Sequence, residues 1–181
     1  MKHSTPSGLL ALLVLSAATA ELRAQTGAPD LSDPEVAHVA VTANSIDIEL
    51  ARFAGPKIAK AEVRAFANTM ITDHSAVNAQ AGALAARLGV TPRDNPVSQS
   101  LLAGAAAARA SLEKLHGAAF DRAYIDREVG YHQAVLDALD GLLIPTTENA
   151  ELKKLLAEVR PAIAAHLAHA KGLQGALAAR P

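Results

Sequence analysis

The 181-residue sequence predicts an all-α protein, a bundle of four long helices with a crossover helix between the second and the third. Composition is the first sign. Hydrophobic residues make up 50% and aromatics only 3%, so the apolar supply is mostly Ala, Leu and Val. Ala and Leu are strong helix formers. Periodicity is the second. Over four long stretches the apolar residues recur at three- and four-residue steps, the stripe by which an amphipathic helix faces a core. Punctuation is the third, because Gly- and Pro-bearing segments separate those stretches.

The first helix is expected over residues 33–54. Ser32-x-x-Glu35 matches a capping box and Pro34 suits the first turn. Gly55-Pro56 ends it, with Gly55 as the expected left-handed cap. The second helix begins near 60–62 and ends at Leu88, before Gly89. Val63, Phe66, Ala67, Met70, Val77, Ala81, Leu84 and Leu88 form its stripe. Two prolines and two turn formers make 90–97 a loop. The alanine-rich stretch 98–115 is the crossover helix. The third bundle helix is expected over 118–143, broken by Ile144-Pro-Thr-Thr147. The fourth starts near Thr147 or Asn149 and runs to about Ala178. Pro161 lies inside it and should kink or divide it. A connection of about thirty residues between the second and third bundle helices is what a one-crossover, ferritin-like topology requires.

The N-terminus reads as a secretory signal over residues 1–24. Lys2 is followed by the apolar run Leu9-Leu-Ala-Leu-Leu-Val-Leu15 and by Ala18-Thr-Ala20, a small-x-small cleavage site. That run is too short to span a bilayer about 30 Å thick. Residues 25–31 are a polar, flexible leader, and the bundle occupies 32–179. The expected compartment is the periplasm or the exterior, with no cysteine to carry a lipid anchor.

Composition also excludes functions. Lys plus Arg is 17 against 18 for Asp plus Glu, a net charge of -1, which offers nucleic acid or an anionic membrane no electrostatic footing. The absence of Cys removes disulfides, thiolate metal sites, iron–sulfur clusters and a cysteine nucleophile. With no Trp and three Phe there is no base-stacking platform. There is no glycine-rich phosphate loop, nucleophile elbow or metalloprotease helix pair.

The informative residues are polar ones on the core stripes. Asp47 falls among Val36, Ala40, Ala43, Leu50 and Ala54. Glu49 points about 200° away. His74 interrupts the stripe of the second helix. Glu128 and His132 sit one turn apart with Ile125, Val135 and Leu139, and His166 lies with Val159, Ile163, Ala170 and Leu173. The middles of four antiparallel helices meet at one level. Asp47, His74, His132 and His166 should therefore converge, with Glu128 a turn away. Three imidazoles and a carboxylate suit zinc, iron, manganese or copper. The alternative is a metal-free, hydrogen-bonded layer of the same residues. Asp73 is expected to support the layer or face solvent. His169 is read as a surface residue, and His38 and His116 as surface or loop residues. Tyr124 and Tyr131 are read as rings at the core edge with hydroxyls reaching polar partners.

Asp47-Ile-Glu49-Leu, Glu62-Val-Arg-Ala-Phe-Ala67, Met70-Ile-Thr-Asp-His74, Ala118-Ala-Phe-Asp-Arg-Ala-Tyr-Ile125 and His166-Leu-Ala-His-Ala170 together resemble the DUF4142 family, over about residues 35–173. The resemblance implies an exported bacterial protein, of a kind often labelled outer-membrane, with a ferritin-like bundle. The chain departs from the family pattern at Tyr131, which stands before His132 in place of an acid. The family name records no activity. A di-iron centre would need Glu-x-x-His on two helices. The nearest match here is Glu128-x-x-x-His132, one residue too long, and no Glu stands three residues before His166. The reading that results is a mononuclear, histidine-rich divalent-metal site at Asp47, His74, Glu128, His132 and His166. Its role would be metal handling or envelope stress rather than turnover. A structural or interaction module of the envelope is the alternative.

Overall fold

The computed structural model describes residues 29–179. The expected signal and most of the leader lie outside the described residues. Leu31, expected in the leader, is instead 6% exposed and packs into the core. The helices are α1 (Asp33–Ala54), α2 (Ala61–Leu88), α3 (Pro96–Glu113), α4 (Gly117–Ala138) and α5 (Ala150–Ala178), and no strand occurs among the described residues. α4 runs on through a π-helical turn, Leu139–Leu143, and a last turn, Ile144–Thr146, so Ile144-Pro145 does not stop it. No helix among the described residues is long and apolar enough to cross a membrane.

Local chemistry sets most of the ends. The Glu35 carboxylate accepts from the Ser32 N–H at 2.9 Å and from the Ser32 hydroxyl at 2.6 Å, closing the expected box. Those bonds, with Arg93, hold the Glu35 carboxyl down to about 2. Asn95 accepts from the Ser98 N–H at 3.0 Å. α3 therefore starts at Pro96, two residues earlier than expected, with Pro at its first position. Asn149 accepts from the N–H groups of Glu151 and Leu152, each at 3.0 Å. Pro161 does not interrupt α5. Gly89 takes the left-handed conformation (φ 65°) that ends α2. Gly55 does not. Its φ of -45° and ψ of -50° are right-handed, and its N–H still reaches the Ala51 carbonyl. The start of α2 is capped from elsewhere in the chain, by Asp121 of α4, which accepts the N–H groups of Ala59 and Lys60 at 2.9 and 2.8 Å.

The long helices form a ring in which α1 neighbours α2, α2 neighbours α5, α5 neighbours α4, and α4 faces α1. Arg122 bonds the Leu177 carbonyl, Asp126 the Gln174 amide, and the His132 ring stands against that of His166, so α4 and α5 are antiparallel. Phe66–His169, Asp73–His166 and Arg87–Glu151 make α2 and α5 antiparallel. Tyr131 to Ala43 and Arg127 to Asp47 do the same for α1 and α4. α2 and α4 thus point the same way, and α3 must carry the chain back between them. α3 lies on α1, with His38 against Ser98 and Phe53 against Arg109. Ile46, Ile48 and Ala51 of α1 are buried along with Val36, Asp47, Leu50 and Ala54 of the expected stripe, whereas Ala40 and Ala43, also expected in the core, are only half-buried.

Two apolar clusters fill the bundle. Phe66, Met70, Phe120, Tyr124 and Ile125 belong to one, and Val36, Val39, Leu139, Leu156 and Ile163 to the other. The polar layer lies between them. On α2 the burial stops at His74. Val77, Ala81, Leu84 and Leu88, expected in the core, are only half-buried.

Candidate metal centre

Four helices deliver the expected polar residues to one level. Asp47 and Glu128 are 0% exposed, His132 1%, His74 4% and His166 7%. The ring centroids of His74, His132 and His166 form a triangle with sides of 5.7, 5.5 and 5.2 Å. One ligand atom from each ring lies within 4.8 Å of the other two, and the same holds for Asp47, Glu128 and His132.

The hydrogen bonds fix how the rings face. His74 Nδ1–H donates to Asn44 Oδ1 at 2.6 Å. His132 Nδ1–H donates to the Glu128 carbonyl at 3.0 Å. His166 Nε2–H donates to Asp73 Oδ2 at 2.9 Å. A carbonyl or carboxylate oxygen only accepts, so the nitrogen facing it must carry the hydrogen. In a neutral ring the other nitrogen then keeps a lone pair. Those other atoms, His74 Nε2, His132 Nε2 and His166 Nδ1, are buried without a hydrogen-bond partner, as is Asp47 Oδ2. Asp47 Oδ2 stands 2.9 Å from His74 Nε2 and 3.6 Å from His132 Nε2. Ring nitrogens held from behind by an oxygen acceptor are the usual arrangement of metal-bound histidine. The donor set therefore fits a divalent ion.

The carboxylates have a cation. Arg127 Nη1 donates to Asp47 Oδ1 at 3.0 Å and to Glu128 Oε1 at 2.7 Å. Its guanidinium carbon lies 3.8 Å above the Tyr131 ring. Burial raises the Asp47 carboxyl, but the His74 ring 2.9 Å away, when its Nε2 also carries a hydrogen, then His132 and Arg127, outweigh burial and hold it below the ordinary carboxylate range. Glu128 goes the other way. Burial, then the nearby Asp47 charge, push it well above its usual value, which favours its protonated form. Burial lowers the His132 ring to about 4 and lowers His166 as well. Glu128 Oε2 is unpartnered and lies 3.5 Å from His132 Nδ1. Glu128 therefore joins the cluster through Asp47 and His132 and stands behind the His132 ring.

A family model described as "Domain of unknown function (DUF4142)" matches residues 18–173, most of the chain. The chain belongs to the DUF4142 family. A search of curated proteins and a search of solved structures each return no match. Within this DUF4142 chain the neighbours of the layer fall mostly where expected. Asp73 orients His166, and His169 is exposed with its ring centroid 5.2 Å from that of Phe66, edge to face. The Tyr131 hydroxyl donates to the Ala43 carbonyl at 2.8 Å. Tyr124 is corrected: it is 0% exposed and its hydroxyl has no partner. His38 is half-buried on Ser98 Oγ at 2.8 Å. Asn44 and Arg127 went unread in the sequence. Asn44 stands three residues before Asp47 on the same helix face, a readable signal. Arg127 carries no periodic signal, because its side chain reaches the core only by curling over Tyr131.

Proposed function

We propose that this chain is an exported, ferritin-like bundle that holds one divalent first-row metal ion, for metal handling or envelope stress rather than turnover. The ligands are Nε2 of His74 and His132, Nδ1 of His166 and Oδ2 of Asp47, with Glu128 beside Asp47 and His132. One observation carries the reading. Each of three buried, neighbouring rings has one nitrogen committed to an oxygen acceptor and turns the other toward the shared centre, where His132 Nε2 and His166 Nδ1 have no hydrogen-bond partner and His74 Nε2 faces only Asp47 Oδ2. Left so, each orphaned atom costs about 1–3 kcal/mol, and a bound cation would offset that cost. The antiparallel sides and the returning α3 support the ferritin-like topology. The apolar run before Ala18-Thr-Ala20 supports export. The test is elemental analysis of mature protein purified without a histidine tag. We expect a single zinc, iron, manganese or copper ion per chain, lost in the His74→Ala/His166→Ala double variant while helical circular dichroism persists.

A second reading, a metal-free polar layer in a structural or interaction module, is favoured by Arg127, which already bonds the carboxyl groups of both Asp47 and Glu128. Folded protein that takes up none of the four metals would decide for it.

A further inference from the structure

We infer that the half of the bundle between the histidine layer and the start of α5 binds one unbranched aliphatic chain, of the kind carried by a single-chain fatty acid. A cavity of about 370 Å³ lies there, walled by α1, α2, α4 and α5. Val77, Ala81, Leu84 and Leu88 line it from α2, and Leu139 and Leu143 from the π-helical turn. These α2 residues repeat at core spacing and yet stay half-buried, so their apolar stripe faces open space.

The wall selects the ligand. Among the described residues it holds no aromatic ring, so nothing in it stacks on a planar group, and its lining between the ends is aliphatic. Its polar side chains stand at the two ends. Asn44 and Asn78 mark the end beside His74, and Asp33 and Asn149 the outer end. Asp33 is already engaged, accepting the N–H groups of Glu148 and Asn149 at 2.9 Å each. From Asp33 to Asn44, α1 rises about 17 Å. Spread over that length, and counting the radius of the atoms that would fill it, the volume gives a slot about 8 Å across, wide enough for one extended hydrocarbon chain along its whole length. The frame is tied at its outer end. Arg87 of α2 pairs with Glu151 of α5, and the Arg93 N–H bonds the Pro34 carbonyl of α1 at 2.9 Å. Closure of the slot by inward movement of α2 would have to break these ties.

The site is independent of the metal reading, and one experiment separates the two. Carbon-13-labelled dodecanoate is titrated into metal-free and zinc-loaded full-length mature protein, followed by NMR and thermal melting, with metal content measured on the same samples. Saturable binding of one chain per protein, with a rise in Tm, is expected. Butanoate, too short to span the slot, should leave Tm unchanged. Ala81→Phe and Ala40→Phe each place a ring in the slot. Either one, once shown to fold by circular dichroism, should weaken dodecanoate at least about tenfold and keep its metal content. Ala81→Leu stands in if both fail to fold. The inference is overturned if neither form binds dodecanoate saturably, or if every folded blocking variant binds it as tightly as the parent.

Discussion

At the level of single residues, the centre is a balance of burial against partnership. Arg127 is the cation between two buried carboxyls. Arg127→Met leaves Asp47 as an uncompensated buried charge, so we expect a loss of about 3–5 kcal/mol in urea unfolding. A loss under about 1 kcal/mol would mean that the carboxyls find water instead. Between pH 6.5 and 4 the metal-free protein responds through opposed groups, the lowered rings of His132 and His166 against the raised carboxyl of Glu128. His132 titrates near 6.5 when unfolded and near 4 when folded. Its contribution is complete above 6.5 and falls away as pH drops through that window, because only the unfolded chain takes the proton. Glu128 is raised, so its contribution is complete below its unfolded value of 4.5 and is lost as pH rises. Between the two values the trends oppose each other. Glu128→Gln does not titrate and removes the second trend. In that variant His132 alone should lower the stability of metal-free protein by about 3 kcal/mol between pH 6.5 and 4, and His166 should add to the drop. Urea midpoints at several pH values measure it, and a flat profile would show that His132 is not held neutral.

At the level of elements, caps and stripes behave differently. Ser32 and Glu35 sit within one turn, so the start of α1 was legible from local sequence. The cap of α2 was not, since Asp121 is more than sixty residues away along the chain. Glycine shows the same division. Gly89 needs φ of 65°, and Gly89→Ala should cost about 1 kcal/mol. Gly55 was expected to need the same conformation, but its backbone is right-handed, and a Cβ there would meet nothing nearer than the Ala51 carbonyl at 3.4 Å. Gly55→Ala should therefore be neutral or stabilise by about 0.4–1 kcal/mol. Paired thermal melts would expose an error if the two substitutions moved Tm alike. The stripe of α2 was read correctly as apolar but not as half-buried beyond His74, because periodicity marks a face and not what covers it.

At the level of the whole molecule, the polar layer divides an aromatic-bearing cluster from an aliphatic, hollow one. A metal bound only by the folded state should stabilise the entire bundle, by about 2.7 kcal/mol at a hundredfold excess over its dissociation constant. Adding zinc should raise Tm, a chelator should reverse the rise, and the His74→Ala/His166→Ala variant should show neither change. Helix number, the inward faces of Asp47, His74, Glu128, His132 and His166, and the need for a returning helix could all be deduced from the residues alone. Those features are local: a 3.6-residue period places a side chain on a face, and loop length sets the direction of the next helix. Which ring nitrogen points inward, that Arg127 bridges the carboxyls, that Asp121 caps α2 and that the α2 stripe past His74 lines a cavity were settled by packing. Each depends on atoms from helices far apart in sequence, brought to a common level only when the bundle closes, and no periodicity within one helix encodes that meeting.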